Sequence, residues 1–203
     1  MFSLEESKEM VINRMLSMQA MVDSNKMRTG KLEEEDWTKL EGVIEPLSEA
    51  QIYIDDTPGI SAMKIREKSI ELKDEKDIGL IFIDYLQLIS ERDKEEVDYN
   101  NTLQIISNLA KELNIAILLT SQLSRKPEQR KDHTPRLSDF VNSHAVTEYA
   151  DTILFIYRDD YYNPDSEKNI ADIIIKRSTH GSIGVVKLIW DSRYMKFSNL
   201  KNI

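Results

Sequence analysis

The sequence predicts an α/β fold in which a mostly parallel sheet is extended by antiparallel strands near the C-terminus. Two short apolar runs in the middle of the chain flank a helical pattern, as in a βαβ unit. Further β-rich runs follow, separated by turns rather than by long helices. A chain of 203 residues with 40% hydrophobic content can bury a core, so one domain is expected.

The first part of the chain is predicted to contain helices around one short strand. Apolar residues at helical spacing predict a helix over residues 5–23, and a second helix is predicted over residues 33–47. Residues 51–55 are β-rich, and the turn residues at 56–59 close them. Ser61 can then cap the next helix.

The middle of the chain predicts two buried parallel strands and the helix between them. Residues 79–88 are apolar on both alternations up to Asp84, as expected of a strand covered on both faces. Residues 115–120 predict a second buried strand, which ends at Ser121 and Gln122. The helix is marked by an apolar stripe of Leu103, Ile106, Leu109 and Leu113.

The last part of the chain predicts an antiparallel extension of the sheet. Its β-rich runs lie at residues 151–157, 170–176, 185–190 and 194–197. Charged or polar stretches at residues 91–96 and 125–136 are the best candidates for loops.

Composition narrows the class of protein. Cysteine is absent, and the scattered His133, His144 and His180 have no zinc-site spacing. The chain has neither an apolar run of about 18 residues nor a signal peptide, so a cytoplasmic protein is expected. The net charge of −9 means that any DNA contact must come from local basic loops.

Asp84 and Gln122 are candidates for one functional site, because functional residues of open α/β sheets gather at the carboxyl ends of strands. An aspartate in this position is what a nucleotide hydrolase uses to hold the water shell of Mg²⁺. The alternative for Asp84 is a turn cap at the end of a strand. The alternative for Gln122 is an amide that satisfies backbone groups.

Six segments along the chain form a larger pattern. They are residues 2–5 (Phe-Ser-Leu-Glu), 28–30 (Arg-Thr-Gly), 53–59 (Tyr-Ile-Asp-Asp-Thr-Pro-Gly), 79–88, 121–125 (Ser-Gln-Leu-Ser-Arg) and 157–164. In order and spacing they resemble the C-terminal motor domain of DnaB-type replicative DNA helicases, with the Walker B strand at 79–88 and the γ-phosphate sensor at 121–125. The resemblance implies a partial domain over residues 1–203: a RecA-like three-layer α/β fold that lacks the first strand and the phosphate loop.

The resemblance also implies roles for three residues. Glu5 corresponds to the catalytic glutamate that orients the water attacking the γ-phosphate, Asp84 to the Mg²⁺-associated aspartate, and Gln122 to the γ-phosphate sensor. The alternative for Glu5 is a carboxylate favoured by the dipole of a helix N-terminus. The implied cofactors are ATP and Mg²⁺. The implied partners are single-stranded DNA, further subunits of a hexameric ring that unwinds duplex DNA, and a helicase loader or primase.

One departure from the family concerns the phosphate-binding Walker A motif, G-x-x-x-x-G-K-[ST], which this sequence does not contain. Gly30-Lys31 is its only Gly-Lys pair, and Leu32 follows. The resemblance begins downstream of that motif, so Met1 is expected to be a late start or an artificial boundary. We therefore expect no ATPase activity from the chain alone, and association or low stability because part of the sheet is missing.

The other departures concern the subunit boundary and the DNA-facing loop. Arg177 stands at the first position of the family's trans-acting basic pair, but Thr179 stands at the second. In the loop, Val141 and His144 replace an arginine and a glycine. The segment 157–162 resembles one that lies near the nucleotide base in the family, so Tyr161 or Tyr162 is a candidate for stacking on adenine, with structural packing as the alternative.

Basic residues near that loop remain candidates for DNA phosphate contacts, although a polar basic stretch is often only a solvated loop. They are Arg125, Lys126, Arg130, Lys131 and Arg136. Two rival interpretations stay open beside the helicase motor. One is a degenerate binding or regulatory module without catalysis, and the other is a different RecA-like ATPase.

Overall fold

The computed structural model describes residues 1–90 and 98–200. It forms two compact units, which we call the parallel unit (Met1–Lys8 and Ile52–Asp151) and the antiparallel unit (Glu9–Gln51 and Thr152–Ile203). The loop predicted at residues 91–96 lies outside the described residues. Among those residues, no helix is both long enough and apolar enough to cross a membrane.

The strands and helices of the described residues follow the predicted βαβ order in the middle of the chain. The strands are β1 Phe2–Ser3, β2 Leu80–Asp84, β3 Ala116–Leu119, β4 Thr152–Tyr157, β5 Ile170–Ser178, β6 Gly184–Asp191 and β7 Lys196–Asn199. The helices are α1 Lys8–Ala20, α2 Ser24–Thr29, α3 Glu34–Glu49, α4 Ala62–Lys76, α5 Tyr99–Leu113 and α6 Ser143–Tyr149.

The parallel unit is built on a sheet of order β1-β2-β3, in which both strand pairs are parallel. This confirms β2 as a central parallel strand. The strand predicted at residues 51–55 is wrong: only Asp55 pairs, in a bridge to Phe2, because the turn at 56–59 follows at once. Ser61 caps α4 as predicted, and its Oγ accepts a hydrogen bond from Lys64 N at 3.2 Å.

Only one face of this parallel sheet is covered in the described residues. Ile81 and Ile83 of β2 are almost fully buried. Helix α5 packs against both β3 and α4. On the other face, Leu80 is 57% exposed and Leu118 of β3 is 50% exposed. Within the described residues, the expectation that β2 is covered on both faces is therefore wrong for the face that carries Leu80, and the expectation that β3 is buried is wrong for Leu118.

The antiparallel unit contains the predicted antiparallel strands, paired in the order β4-β5-β6-β7 as a sheet of their own. The helix predicted over residues 5–23 is shorter, because residues 2–3 pair with β2 and Met21 takes a left-handed φ of 54° after α1. The sequence interpretation missed α2 and α6. A small core of Ala20, Val22 and Leu40 lies among the helices α1 to α3.

Candidate functional site

Asp84 ends β2 and is held by both neighbouring strands. Its backbone oxygen accepts a hydrogen bond from Leu4 N at 2.8 Å, just beyond β1. Its side-chain Oδ1 accepts one from Thr120 Oγ1 at 2.6 Å, just beyond β3. The carboxylate is thus fixed to the next strand and does not cap its own turn. In the described part of the chain no hydrogen bond occupies Oδ2, which is available for another ligand.

Gln122 follows β3 and is positioned through its backbone. Its N–H donates to Gln87 Oε1 at 3.1 Å, while Gln87 Nε2 donates to Ser121 Oγ at 2.9 Å. Gln87 therefore ties the end of β3 to the turn after β2. The Gln122 side chain is exposed, and no described residue hydrogen-bonds it. The backbone of Gln122 is therefore held in place, while its side-chain amide is unengaged among the described residues.

Glu5 follows β1 in a bend and is exposed. The bend is fixed because the buried Ser3 donates from Oγ to Glu6 O at 2.7 Å. Since Leu4 is hydrogen-bonded to the end of β2, Glu5 emerges at the same edge of the sheet as Asp84. Glu5 precedes α1, which begins at Lys8, so it does not lie in a helical turn.

These three residues come from the carboxyl ends of three neighbouring parallel strands, so the sheet brings them to one edge. The sequence interpretation missed Gln87 and Thr120, which orient the site. Thr120 directly follows the apolar strand β3, and this is the signal that could have found it. Gln87 lies three residues after β2, between two leucines, and has no comparable signal.

The acidic pair at residues 55 and 56 is engaged elsewhere. Burial raises the pKa of Asp55, but hydrogen bonds from Lys68 and Thr57 outweigh it and hold that pKa below its usual value. Asp56 Oδ2 accepts a hydrogen bond from Lys8 N at 2.9 Å. Both carboxylates therefore stabilise local structure.

The donor set at the sheet edge fits Mg²⁺ but supplies only part of a nucleotide site. Within residues 1–90 and 98–200, no group of three or more His, Cys, Asp or Glu side chains could hold a metal alone. Mg²⁺ is commonly bound through one or two carboxylates together with waters and substrate phosphates, and Asp84 can be such a carboxylate. The triphosphate also needs a phosphate-binding loop, which these 203 residues do not contain.

The basic residues after Gln122 have different surroundings. Arg125, Lys126 and Lys131 are exposed. Arg136 is also exposed and pairs with Asp132 at 3.0 Å. Arg130 is drawn inward by a carboxylate of its own loop and has a side-chain exposure of only 21%.

Arg177 and Tyr161 belong to the antiparallel unit and lie near opposite ends of β4. Arg177 on β5 is paired with Ile153 near the start of β4. Tyr161 follows the end of β4, is 77% exposed and contacts Tyr162 edge-to-face with ring centroids 5.1 Å apart. Most of the Tyr161 ring is therefore in contact with solvent.

Related proteins are similar to this chain over almost its whole length. A family model described as the DnaB-like helicase C terminal domain matches residues 1–199. The replicative DNA helicase DnaB of Geobacillus stearothermophilus is 45% identical over 98% of this chain, which spans 45% of that relative. The replicative DNA helicase DnaB of Rickettsia typhi is 41% identical, with 98% of this chain and 44% of the relative covered. The chain thus spans less than half the length of these relatives.

Solved structures show the same likeness. A DnaB-like replicative helicase, described with its interactions with primase, has a TM-score of 0.91 at 35% identity, covering 98% of this chain and 50% of that one. An ATPase domain has a TM-score of 0.89 at 36% identity, covering 98% of this chain and 73% of that one. A KaiC-like protein from Pyrococcus horikoshii, with a TM-score of 0.60 at 13% identity, shares the fold alone.

The parallel strands that carry polar residues at their carboxyl ends, together with these neighbours, place the fold among RecA-like ATPase domains. More narrowly, the chain belongs to the family of DnaB-like helicase C-terminal domains. The resemblance inferred from the six sequence segments is confirmed.

Proposed function

We propose that this chain is part of an ATP-driven replicative helicase motor that unwinds duplex DNA as a hexameric ring. The observation that carries the proposal is the convergence of Glu5, Asp84 and Gln122 at one edge of the parallel sheet. The whole relatives are more than twice as long as this chain, so the remaining parts of such a motor lie outside these residues.

Asp84 and Glu5 have complementary roles in this proposal. Asp84 would hold Mg²⁺ through its Oδ2, while the hydrogen bond from Thr120 to Oδ1 fixes the carboxylate plane. When bound, Mg²⁺ neutralises charge on the phosphates. Glu5, exposed and unengaged among the described residues, orients the attacking water and accepts its proton.

Gln122 would detect the γ-phosphate with its side-chain amide. Gln87 ties the backbone of Gln122 to the turn after β2. The loop that begins at Leu123 follows Gln122 directly, so a movement of Gln122 at the nucleotide would be passed to that loop. That loop carries Arg125 and Arg136, which we assign to the phosphates of single-stranded DNA.

The antiparallel unit contributes to the boundary between subunits. We assign Arg177 to the nucleotide of a neighbouring subunit and Tyr161 to stacking on an adenine base. Other copies or full-length subunits would complete the ring. A loader or a primase is a further partner, since one structural neighbour is described with its interactions with primase.

This chain alone is proposed to be inactive as an ATPase. Without a phosphate-binding loop among its 203 residues, the backbone donors and the lysine that grip the triphosphate are not supplied.

A second candidate is a non-catalytic binding or regulatory module that keeps the helicase fold. Thr179 at the position of a trans-acting basic residue, and Val141 and His144 in the DNA-facing loop, favour it. By the resemblance, Thr179 and Val141 each replace a basic residue that binds phosphate, and His144 replaces a flexible glycine.

A chimera separates the two candidates. The matched segment of the Geobacillus stearothermophilus helicase is replaced by this chain, and ATP turnover is measured with single-stranded DNA. A retained motor segment gives turnover that Asp84→Asn lowers by about a hundredfold or more, the scale expected for loss of a directly acting polar group. Asp165→Asn, at an exposed turn of the antiparallel unit, is the matched control and leaves turnover unchanged.

A chimera that assembles and binds ATP without turnover favours the regulatory module. Equal turnover in Asp84→Asn and in the parent chimera contradicts the role given to Asp84.

A further inference from the structure

The loop between β3 and α6 is closed on itself by one buried ion pair. Asp139 is fully buried, and Arg130 binds it with two prongs: Nη1 to Oδ1 at 2.7 Å and Nη2 to Oδ2 at 2.6 Å. A bidentate pair of this kind fixes orientation as well as distance. The Arg130 guanidinium holds the pKa of Asp139 below its ordinary value, so the carboxylate stays charged at neutral pH.

Asp139 also joins the two ends of the loop. Its backbone oxygen accepts a hydrogen bond from Ser124 N at 2.8 Å, and Leu123 pairs with Phe140 in an antiparallel bridge. Ser124 lies two residues after Gln122. The start of the loop, next to the proposed sensor, is therefore tied directly to Asp139.

The middle of the loop is folded around the same pair. Arg130 Nη2 also donates to Thr134 O at 2.5 Å, and Asp139 Oδ2 accepts from Arg136 N at 2.7 Å. Pro127 is buried, and its oxygen lies 3.1 Å from His133 Nδ1. Separate turns of the loop thus meet at one guanidinium and one carboxylate.

The cations of the loop differ in how far they are engaged. Lys126 and Arg136 are exposed but engaged with Ser138 O at 3.3 Å and with Asp132 at 3.0 Å. Arg130 points inward and uses its guanidinium within the loop. Arg125 and Lys131 are exposed, and neither forms an ion pair with any described residue. Arg125 and Lys131 can therefore bind a polyanion directly. Arg130 could do so only by breaking its ion pair and leaving Asp139 buried and unpaired.

We propose that Arg130 and Asp139 are positioning residues for nucleic-acid binding and that Arg130 does not itself contact DNA. The pair makes residues 124–140 move as one body with the end of β3 and keeps Arg125 and Lys131 in place for phosphates. This rests on the proposed contact between the loop and single-stranded DNA. It replaces the sequence-based assignment of Arg130 as a phosphate contact.

The test compares Arg130→Lys, Asp139→Asn and their double variant by fluorescence anisotropy with a labelled oligothymidylate. Lysine keeps the charge but cannot reproduce the bidentate fork. Asparagine removes a negative charge, which by simple electrostatics strengthens DNA binding. A positioning role predicts instead that each single variant binds about tenfold or more weakly, as for other residues that orient a ligand-contacting group. The double variant is no weaker than either one.

Arg125→Gln is the matched control for a direct contact. It lowers the slope of log affinity against log salt concentration by about 0.7, the value for one phosphate contact to a single strand. If Arg130→Lys binds like the parent chain and Asp139→Asn binds as tightly or more tightly, the loop cations act through charge alone and the proposal is wrong.

Amide hydrogen exchange of the free chain supplies a readout that needs no DNA. Residues 124–140 lose protection in Arg130→Lys and Asp139→Asn but keep it in Arg125→Gln. Unchanged protection in both loop variants overturns the proposal, and Arg130→Lys decides alone if Asp139→Asn does not fold. A parent chain that fails to bind the oligonucleotide counts against the proposed function, while the exchange data still test the ion pair.

Discussion

The two sheets differ in where their strands end. In the parallel sheet all strands end at one edge, so three short polar segments from distant parts of the sequence meet there. In the antiparallel sheet neighbouring strands end at opposite edges. The parallel sheet can therefore assemble a site within one unit, and the antiparallel sheet separates its candidate residues.

The register gives the size of that separation. Ile153 pairs with Arg177 and Tyr157 pairs with Asp172. Tyr157 lies four residues along β4 from Ile153, or about 13 Å at the usual rise per residue. Tyr161 follows the far end, so Arg177 and Tyr161 lie near opposite ends of β4.

Substitutions on the two faces of the parallel sheet should change the free energy of unfolding by different amounts. Leu109 of α5 is fully buried on the covered side, so Leu109→Ala should lower the free energy of unfolding by about 2–5 kcal/mol. Leu118 is half exposed on the open side, so Leu118→Ala should change it by roughly 0.5 kcal/mol or less. Urea denaturation of both variants measures the difference.

A large loss in Leu118→Ala would show that the open face is covered in solution. In that case the unfolding midpoint rises with protein concentration, because copies of the chain bury the face together.

Stability at acid pH should differ between the buried ion pair in the loop between β3 and α6 and an exposed ion pair in the antiparallel unit. Arg130 lowers the pKa of Asp139, and Arg193 lowers the pKa of Asp191. A lowered folded-state pKa adds stability above the unfolded value of about 3.9, and this is lost as pH falls through the folded pKa. The temperature of the unfolding midpoint of the parent chain should therefore decrease once the pH is lowered below about 4.

Asp139→Asn should make the decrease of the midpoint at acid pH smaller. Asp191→Asn, in a pair whose arginine is 65% exposed, should leave that decrease nearly unchanged. Thermal melts at several pH values measure both. A smaller decrease in Asp191→Asn alone would place the acid-sensitive contact in the antiparallel unit.

Periodicity predicted the elements with strong local patterns. The apolar stripe of α5, the Ser61 cap of α4 and the strand before Asp84 follow from spacing and capping chemistry. The two-residue strand β1 was missed because it exists only through pairing with β2 and Asp55. Long-range pairing of so short a segment leaves no periodic signal.

The candidate site was predictable from the sequence only where its residues follow a strongly apolar strand. Asp84 and Gln122 follow apolar strands, which marks them in the sequence, while Glu5 entered only through the family resemblance. The inward orientation of Arg130 could not be predicted, because its partner Asp139 lies nine positions away in an irregular loop. A basic stretch in the sequence does not show which cations are engaged.

ATP turnover of the purified 203-residue chain, measured with Mg²⁺ and single-stranded DNA, tests the central claim most directly. The carboxylates of Glu5 and Asp84 and the amide of Gln122 come from one edge of the sheet, but the chain carries no phosphate-binding loop. We predict no turnover above the protein-free blank. Turnover that Asp84→Asn abolishes would contradict the account, since it would show that these residues grip and hydrolyse ATP without that loop.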